Sequence, residues 1–269
     1  MVGPTGRAGG VPPGAGVTPA EGAGEAYDAA STGWRAGPER MYARMAEVMA
    51  AHAPVALAGA RVLDAGAGTG VAGEALRRRG ARCVVALDLA PTMLPRPPAL
   101  AAVGDLTRLP FAAASFDLAA AAFSLNHFTD PVPPMTELRR VAGALLATAY
   151  APEWAHPAKE AVDDVLARHG HRPPEWYAVV RADANPGGED LATFARAAGY
   201  GEARAEVVEV STGMNTPADL VDWRFGMAHV APWVGALPTG ERVALRRAAE
   251  TAVTGMPPLV VAMVVLTAR

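Results

Sequence analysis

Arg61-Val62-Leu63-Asp64-Ala65-Gly66-Ala67-Gly68-Thr69-Gly70 is the stretch on which the reading of the chain turns. Arg61 to Ala65 is apolar, branched at Val62 and preceded by a Gly-Ala break, which predicts a buried strand. Gly66, Gly68 and Gly70 then allow a tight turn with no Cβ in the way. Val71 to Arg79 has helical character and stops at Gly80, a C-cap signal. Strand, glycine turn and helix in that order present helix N-terminal amides to a ligand.

Gly68, Gly70 and Gly73 also satisfy the G-x-G-x-x-G dinucleotide fingerprint. The register speaks against it, because in the fingerprint the first glycine closes the strand. Gly66 does so here, and counted from Gly66 the third position is Val71. Asp64, at the strand's end, would repel a pyrophosphate and suits a ligand carrying an ammonium group. The next stretch, Ala81 to Asp88, predicts a second buried strand ending in an acid. A carboxylate roughly 20 residues past the glycines can take both hydroxyls of a ribose. Leu89 to Leu94 places soft apolar side chains where a base could stack.

The chain at this point resembles the class I S-adenosylmethionine (SAM) dependent methyltransferases of small-molecule type. The matching pieces are VLDAGAGTG (62–70), ALDLAPTML (86–94), GDLTRLPF (104–111) and SFDLAAAAFSLNHFTDP (115–131), in family order and spacing. The resemblance covers about 40–150 and implies a Rossmann-like doubly wound α/β sheet. The implied strand order is 3-2-1-4-5-7-6, with the last strand antiparallel and a helical cap added. It implies SAM as cofactor, held by Tyr27, Asp64, Ala65, Gly66, Gly68, Asp88, Leu89, Met93, Asp105, Leu106 and Phe123. Asp105 would accept from the adenine amino group and the Leu106 amide would meet a ring nitrogen; a helix N-cap is the plainer role for Asp105.

The 269 residues are 51% hydrophobic with net charge −3, enough chain to bury a sizeable core. The slightly acidic balance argues against a nucleic-acid groove, which needs a basic face. Cys83 is alone, so no internal disulfide can form, which fits a reducing, cytoplasmic setting. Mid-strand, it reads as a buried structural thiol. No apolar leader follows Arg7, and Leu259 to Leu266 is too short to span a bilayer. The expected partner is a small-molecule acceptor, with neither nucleic acid nor membrane; a homo-oligomer is left open.

Residues 1–24 are rich in Gly, Pro and Ala and predict a disordered tail. Residues 25–150 form the expected cofactor-binding core with its N-terminal cover, 151–235 a cap including the sixth strand, and 236–269 the final helix and strand. Met41, Met45, Val48 and Met49 predict a helix from about Pro38 to His52. In the family this cover often folds over the SAM carboxylate, where Tyr27 or Trp34 could donate and Arg35 could pair. Pro91, Pro95, Pro97 and Pro98 hold the second helix to about one turn. From Ala151 the pattern loosens. His156, His169 and His171 invite a metal, but without a clear third ligand a surface helix end is the better reading of the last two, and no metal is expected.

Between the first and fourth strands lies the switch point of such a sheet, where ligands bind. His127, just past the fourth strand, is the candidate catalytic base; a structural histidine in a strand-to-helix loop is the alternative. Acceptor-side candidates are Trp34, His127, Trp176, Tyr177, Phe225 and Trp233, of which only part should touch ligand, the rest packing in the core. The chemistry expected is methyl transfer to a small, fairly apolar, aromatic acceptor of natural-product type. The rivals are a binding module or cyclase on the same fold, and an NAD-dependent oxidoreductase.

Overall fold

The computed structural model describes residues 19–96, 100–177 and 186–269. Among them, seven strands form one sheet in the order β3-β2-β1-β4-β5-β7-β6, as expected from the resemblance. They are β1 (Arg61–Ala65), β2 (Cys83–Asp88), β3 (Leu100–Val103), β4 (Leu118–Ala122), β5 (Leu145–Tyr150), β6 (Ala203–Ser211) and β7 (Val260–Ala268). β1 to β5 pair in parallel, while β7 runs antiparallel to both β5 and β6.

The central strands are apolar on both faces because both faces are covered. Val62, Leu118, Ala120 and Leu146 join one core layer, and Leu63, Ala119, Leu145 and Ala147 the other. The alternation follows the two-residue period of a strand. The first layer packs against α2 (Pro38–Ala51), α3 (Val71–Arg78), α5 (Pro157–Arg168), α7 (Pro217–Phe225) and α9 (Thr239–Ala252). The second packs against α4 (Val132–Val141) and α6 (Gly188–Ala197). A short helix, α8 (Ala231–Ala236), follows α7.

The expected tail is corrected in part. α1 (Pro19–Ala36) begins inside it, so residues 19–24 are helical, and Ala23 is buried; residues 1–18 lie outside the described residues. Low hydrophobicity alone did not decide the matter, because α1 leans on the rest of the molecule rather than on its own core. The apolar run from Pro217 to Val230 is not one helix: α7 ends at Phe225, and a turn leads to Val230 before α8. α5 was not foreseen. His156 caps its N-terminus, with Ala158 N donating to His156 Nδ1 at 3.3 Å. His169 closes its C-terminus, the surface helix end expected there.

The corner between α1 and α2 docks tightly on α7. A Cβ on Gly37 would stand 2.0 Å from Asp222 O, and one on Gly226 2.3 Å from Pro38 Cδ. Only glycine permits that approach, and it brings the N-terminal helices and the cap to the same end of the sheet, over the carboxyl ends of β1, β4 and β5.

Candidate active site

The glycine turn is built by interlocking backbone. Gly66 has φ +70°, and a Cβ there would lie 2.3 Å from Ser124 Cβ. Ser124 Oγ in turn donates to Ala65 O at 2.8 Å, tying β4's end to β1's. Phe123, just before it, is held at φ +56°, a left-handed conformation that costs a bulky residue of order 1–3 kcal/mol. Gly68 has φ +51° and has only Met93 Cε nearby, 3.7 Å from where its Cβ would be, so this part of the turn is a bare rim.

The rim opens on a cavity walled by Gly66, Gly68, Asp88, Leu89, Met93 and Leu106, with Tyr27, Trp34, Asp105, Phe123 and His127 around it. Asp88 Oδ2 accepts from Gly68 N at 2.7 Å and its Oδ1 from Ala90 N at 2.9 Å. Burial raises its pKa, and the amides of Ala90, Gly68 and Leu89 pull it back. A carboxylate offers about four lone-pair sites, so two accepted bonds leave acceptor capacity for a ligand's hydroxyls. Asp105 borders the cavity from an exposed position, and its Oδ1 accepts from Thr107 N at 2.8 Å in a turn, so it caps no helix.

Two expected cofactor residues lie elsewhere. Asp64 is wholly buried beneath the turn, its Oδ2 accepting from Gly73 N at 2.8 Å, and it does not border the cavity. Ala65 is buried behind the turn as well. The ammonium-facing role read for Asp64 is therefore corrected: the strand ends with that side chain pointing into the start of α3. Burial raises its pKa to about 7; the Gly73 amide opposes the rise, and Asp88 adds to it. Arg35 also turns away, donating to Met93 O at 3.1 Å and pinning α1 to the turn after β2. Asp28 adds a second pin, accepting from Thr92 N at 2.8 Å.

A second cavity adjoins the first through Tyr27, Tyr42, Phe123 and His127, which border both. It is aromatic: Tyr150 stacks on Trp154 with centroids 5.0 Å apart, and Tyr177 stacks on His229 at 3.7 Å. Trp176 and Tyr177 border it as expected, while Trp34 lies on the first cavity and stacks on Tyr42 at 4.8 Å. Phe225 and Trp233 border neither; Phe225 is part of the core, and Trp233 packs against it and against His171. This corrects their assignment to the acceptor.

His127 stands at the junction. It lies in a single 3₁₀ turn, Leu125–His127, directly after β4. Its Nε2 is 3.3 Å from Tyr27 Oη, and among the described residues its buried Nδ1 and the neighbouring Asn126 Oδ1 have no hydrogen-bond partner. Buried polar atoms left unpaired are uncommon in folded proteins, and both residues border the second cavity. Loss of water around the ring lowers the His127 pKa to about 4, so the imidazole is neutral at pH 7. Burial raises the Tyr27 pKa far above its usual value, keeping that hydroxyl protonated.

Sequence reasoning missed Tyr42, Tyr150, Trp154, Lys159, Arg224 and His229 on the second cavity. Tyr150 alone carried a signal, sitting at the carboxyl end of a parallel strand beside the switch point. No metal-holding group of His, Cys, Asp and Glu occurs among the described residues. His171 Nε2 lies 2.9 Å from His229 O, and His169 Nδ1 2.9 Å from Val165 O.

Residues 63–144 match the family model described as a methyltransferase domain. A demethylmenaquinone methyltransferase of Renibacterium salmoninarum is 39% identical over 109 residues, 38% of this chain and 44% of that protein. The match thus spans less than half of that relative's length. Among solved structures, a chain of the complex between the Haloferax volcanii Trm112 methyltransferase activator and a methyltransferase aligns with TM-score 0.54. The alignment has 20% identity and covers 93% of this chain and 96% of that one. The cyclase SpnF aligns at TM-score 0.50 and 21% identity, covering 84% and 80%. At these identities the structures speak for the fold.

Residues 63–144 thus match a methyltransferase domain, and the sheet order is the one the resemblance implied. The donor this domain implies is S-adenosylmethionine, and the residues present fit it. The Gly68 rim is a cradle that a Cβ would fill, Asp88 offers carboxylate oxygens for hydroxyls, and Leu89, Met93 and Leu106 form apolar walls for a base. No helix among the described residues is long and apolar enough to cross a membrane.

Proposed function

We propose that the protein transfers the methyl group of SAM to a small, largely apolar aromatic acceptor bound in the second cavity. The observation that carries this reading is the shared wall: Tyr27, Tyr42, Phe123 and His127 border both the glycine-rim cavity and the aromatic one. A donor seated on the rim and an acceptor among the aromatics would meet there. SAM supplies an electrophilic sulfonium methyl, so the protein's task is mainly to hold the nucleophile in line with it.

In this reading Gly66, Gly68, Asp88, Leu89, Met93, Asp105 and Leu106 hold the donor, and Trp176 and Tyr177 help to enclose the acceptor. His127 meets the acceptor's nucleophilic atom. With Nε2–H donating to Tyr27 Oη, Nδ1 presents a lone pair to an acceptor O–H or N–H. A pKa near 4 makes the buried imidazolium costly, so His127 orients the acceptor as a neutral hydrogen-bond partner and takes up a proton only in passing. Positioning then accounts for most of the rate enhancement. A related fold in a cyclase keeps the alternative of SAM-fold chemistry without methyl transfer in view, since fold does not fix function.

The test is direct. Calorimetric titration with SAM and with NADH should show binding of SAM only. Incubation with methyl-labelled SAM and a panel of phenols, indoles and amines should yield a product heavier by one methylene. SAM binding with no labelled product from any panel member would favour the cyclase or binding reading.

A further inference from the structure

The second cavity has a polar side that methyl transfer does not require. Lys159 and Arg224 border it, and neither borders the glycine-rim cavity. Both converge on one carboxylate: Arg224 Nε and Nη2 donate to Asp163 Oδ1 at 3.2 and 2.6 Å, and Lys159 Nζ donates to Asp163 Oδ2 at 3.0 Å. Burial pushes the Asp163 carboxyl up, but the two cations together hold it below its usual range, so it is ionised. Arg224 is 2% exposed and lies 5.3 Å from the Trp223 ring.

An arginine–aspartate pair alone would be a neutral structural bridge. Two cations on one carboxylate leave one positive charge in excess at the cavity's edge, with Arg224 buried and Lys159 and Asp163 partly exposed, and an anion placed there would balance it. Glu160 also borders the cavity, but it is exposed, where water screens it. Nearby donors have the same bias. Tyr42 Oη and Tyr150 Oη share one hydrogen bond at 2.7 Å, which uses one of their two hydroxyl protons and leaves the other for a second partner. Arg224 Nη2 is 3.3 Å from His229 Nε2, and an arginine can only donate, so this nitrogen accepts.

We propose, resting on the methyl-transfer reading, that the acceptor is an aromatic carboxylic acid. Its carboxylate lies against Lys159 and Arg224, its ring among the aromatic walls, and its methyl-accepting atom toward His127. The methyl group therefore goes to a ring substituent, and the carboxylate stays free.

Binding can be read without turnover, since Trp154, Trp176 and Trp223 border the cavity and report by fluorescence. The full chain, saturated with S-adenosylhomocysteine, is titrated with hydroxybenzoates and aminobenzoates and with the matching amides. The acids should bind about 10–100-fold more tightly than the amides, as a charge-assisted contact implies. Lys159→Gln, a partly exposed position, should cut that preference at least several-fold with little change in melting temperature; Arg224→Lys is the second variant should Lys159 contribute less. Equal binding of acid and amide, no binding by either, or a preference unchanged in both variants would overturn the proposal. So would a labelled product that releases its methyl on alkaline hydrolysis, the mark of an ester. Methylation of the amides and phenols as readily as the acids would leave methyl transfer standing while removing the carboxylate; acid-selective binding with no labelled product would do the reverse.

Discussion

The two cavities share a wall but are made of different material. The first has a backbone floor: glycine turns and strand ends drawn from the run 62–106, with Leu89, Met93 and Leu106 beside them and side chains of α1, α2 and the end of β4 closing the other side. The second is side chain: rings and charges brought in from α1, α2, α5, α7 and the ends of β4 and β5. Backbone geometry restricts which residues can stand at a position, whereas a side-chain wall can be assembled from many places. The comparison explains what each region betrays of itself, and it can be broken at specific residues.

The largest effect is expected at the turn. Gly66→Val forces a branched side chain into a left-handed conformation and against Ser124 Cβ, 2.3 Å from its own Cβ. SAM binding should disappear together with several degrees of melting temperature. Gly68→Val meets only Met93 Cε at 3.7 Å and should keep most of its stability, apart from about 1–3 kcal/mol of backbone strain, while still losing SAM. Calorimetry and thermal melts on both variants separate the two effects. Normal SAM affinity in Gly68→Val would mean that the rim faces something else.

Next in size is His127→Ala, which should lower kcat/KM by about 10²–10³-fold and leave SAM affinity within about twofold. The wild-type pH profile should show an acidic limb near pH 4 and no inflection near 6.5, because the ring is neutral above its lowered pKa. Turnover that falls only in step with thermal stability would make His127 structural. Asp88→Ala comes third. Losing a charged partner to ligand hydroxyls costs about 1.5–3 kcal/mol, or about 10–100-fold in SAM affinity. Unchanged affinity would remove the ribose assignment.

The first cavity was legible because glycines and strand-end acids are compelled by geometry. Asp88 could be read as a strand-end acid, and Gly66 as the residue that closes β1. The order of the sheet came through the resemblance. Illegible were the parts set by long-range packing. α5 carries helical spacing in Ala158, Val162, Val165 and Leu166, but nothing in that pattern says what its polar face meets, so Lys159 and Asp163 were not placed, and Arg224 was not singled out until the fold brought it to Asp163. Phe225 and Trp233 looked like ligand aromatics because exposed rings are costly, yet the core satisfied them equally well. Asp64 was misread for a simpler reason. Successive side chains on a strand point to opposite faces, and at the last turn of β1 the sequence gives no sign of which carboxylate faces the ligand and which faces the helix.

Asp64→Asn tests that last distinction, with the smallest effect on ligand binding and a signature in pH. Asn can still accept from Gly73 N through its side-chain oxygen, so the join between β1 and α3 should survive. What changes is titration. Burial raises the folded pKa of Asp64 to about 7, while an unfolded aspartate titrates near 3.9. The native state therefore holds this proton more tightly than the unfolded chain does. The resulting stability is fully present below about pH 4 and is lost as pH rises through about 7. In the absence of ligand, the melting temperature of the wild type should fall relative to Asp64→Asn between pH 5 and pH 8, a difference of about 2 kcal/mol. SAM affinity measured at one pH should differ by less than about threefold, since the side chain does not border the cavity. A tenfold loss of SAM affinity at equal stability would return Asp64 to the ligand and put the acid beneath the glycine turn on the same footing as Asp88.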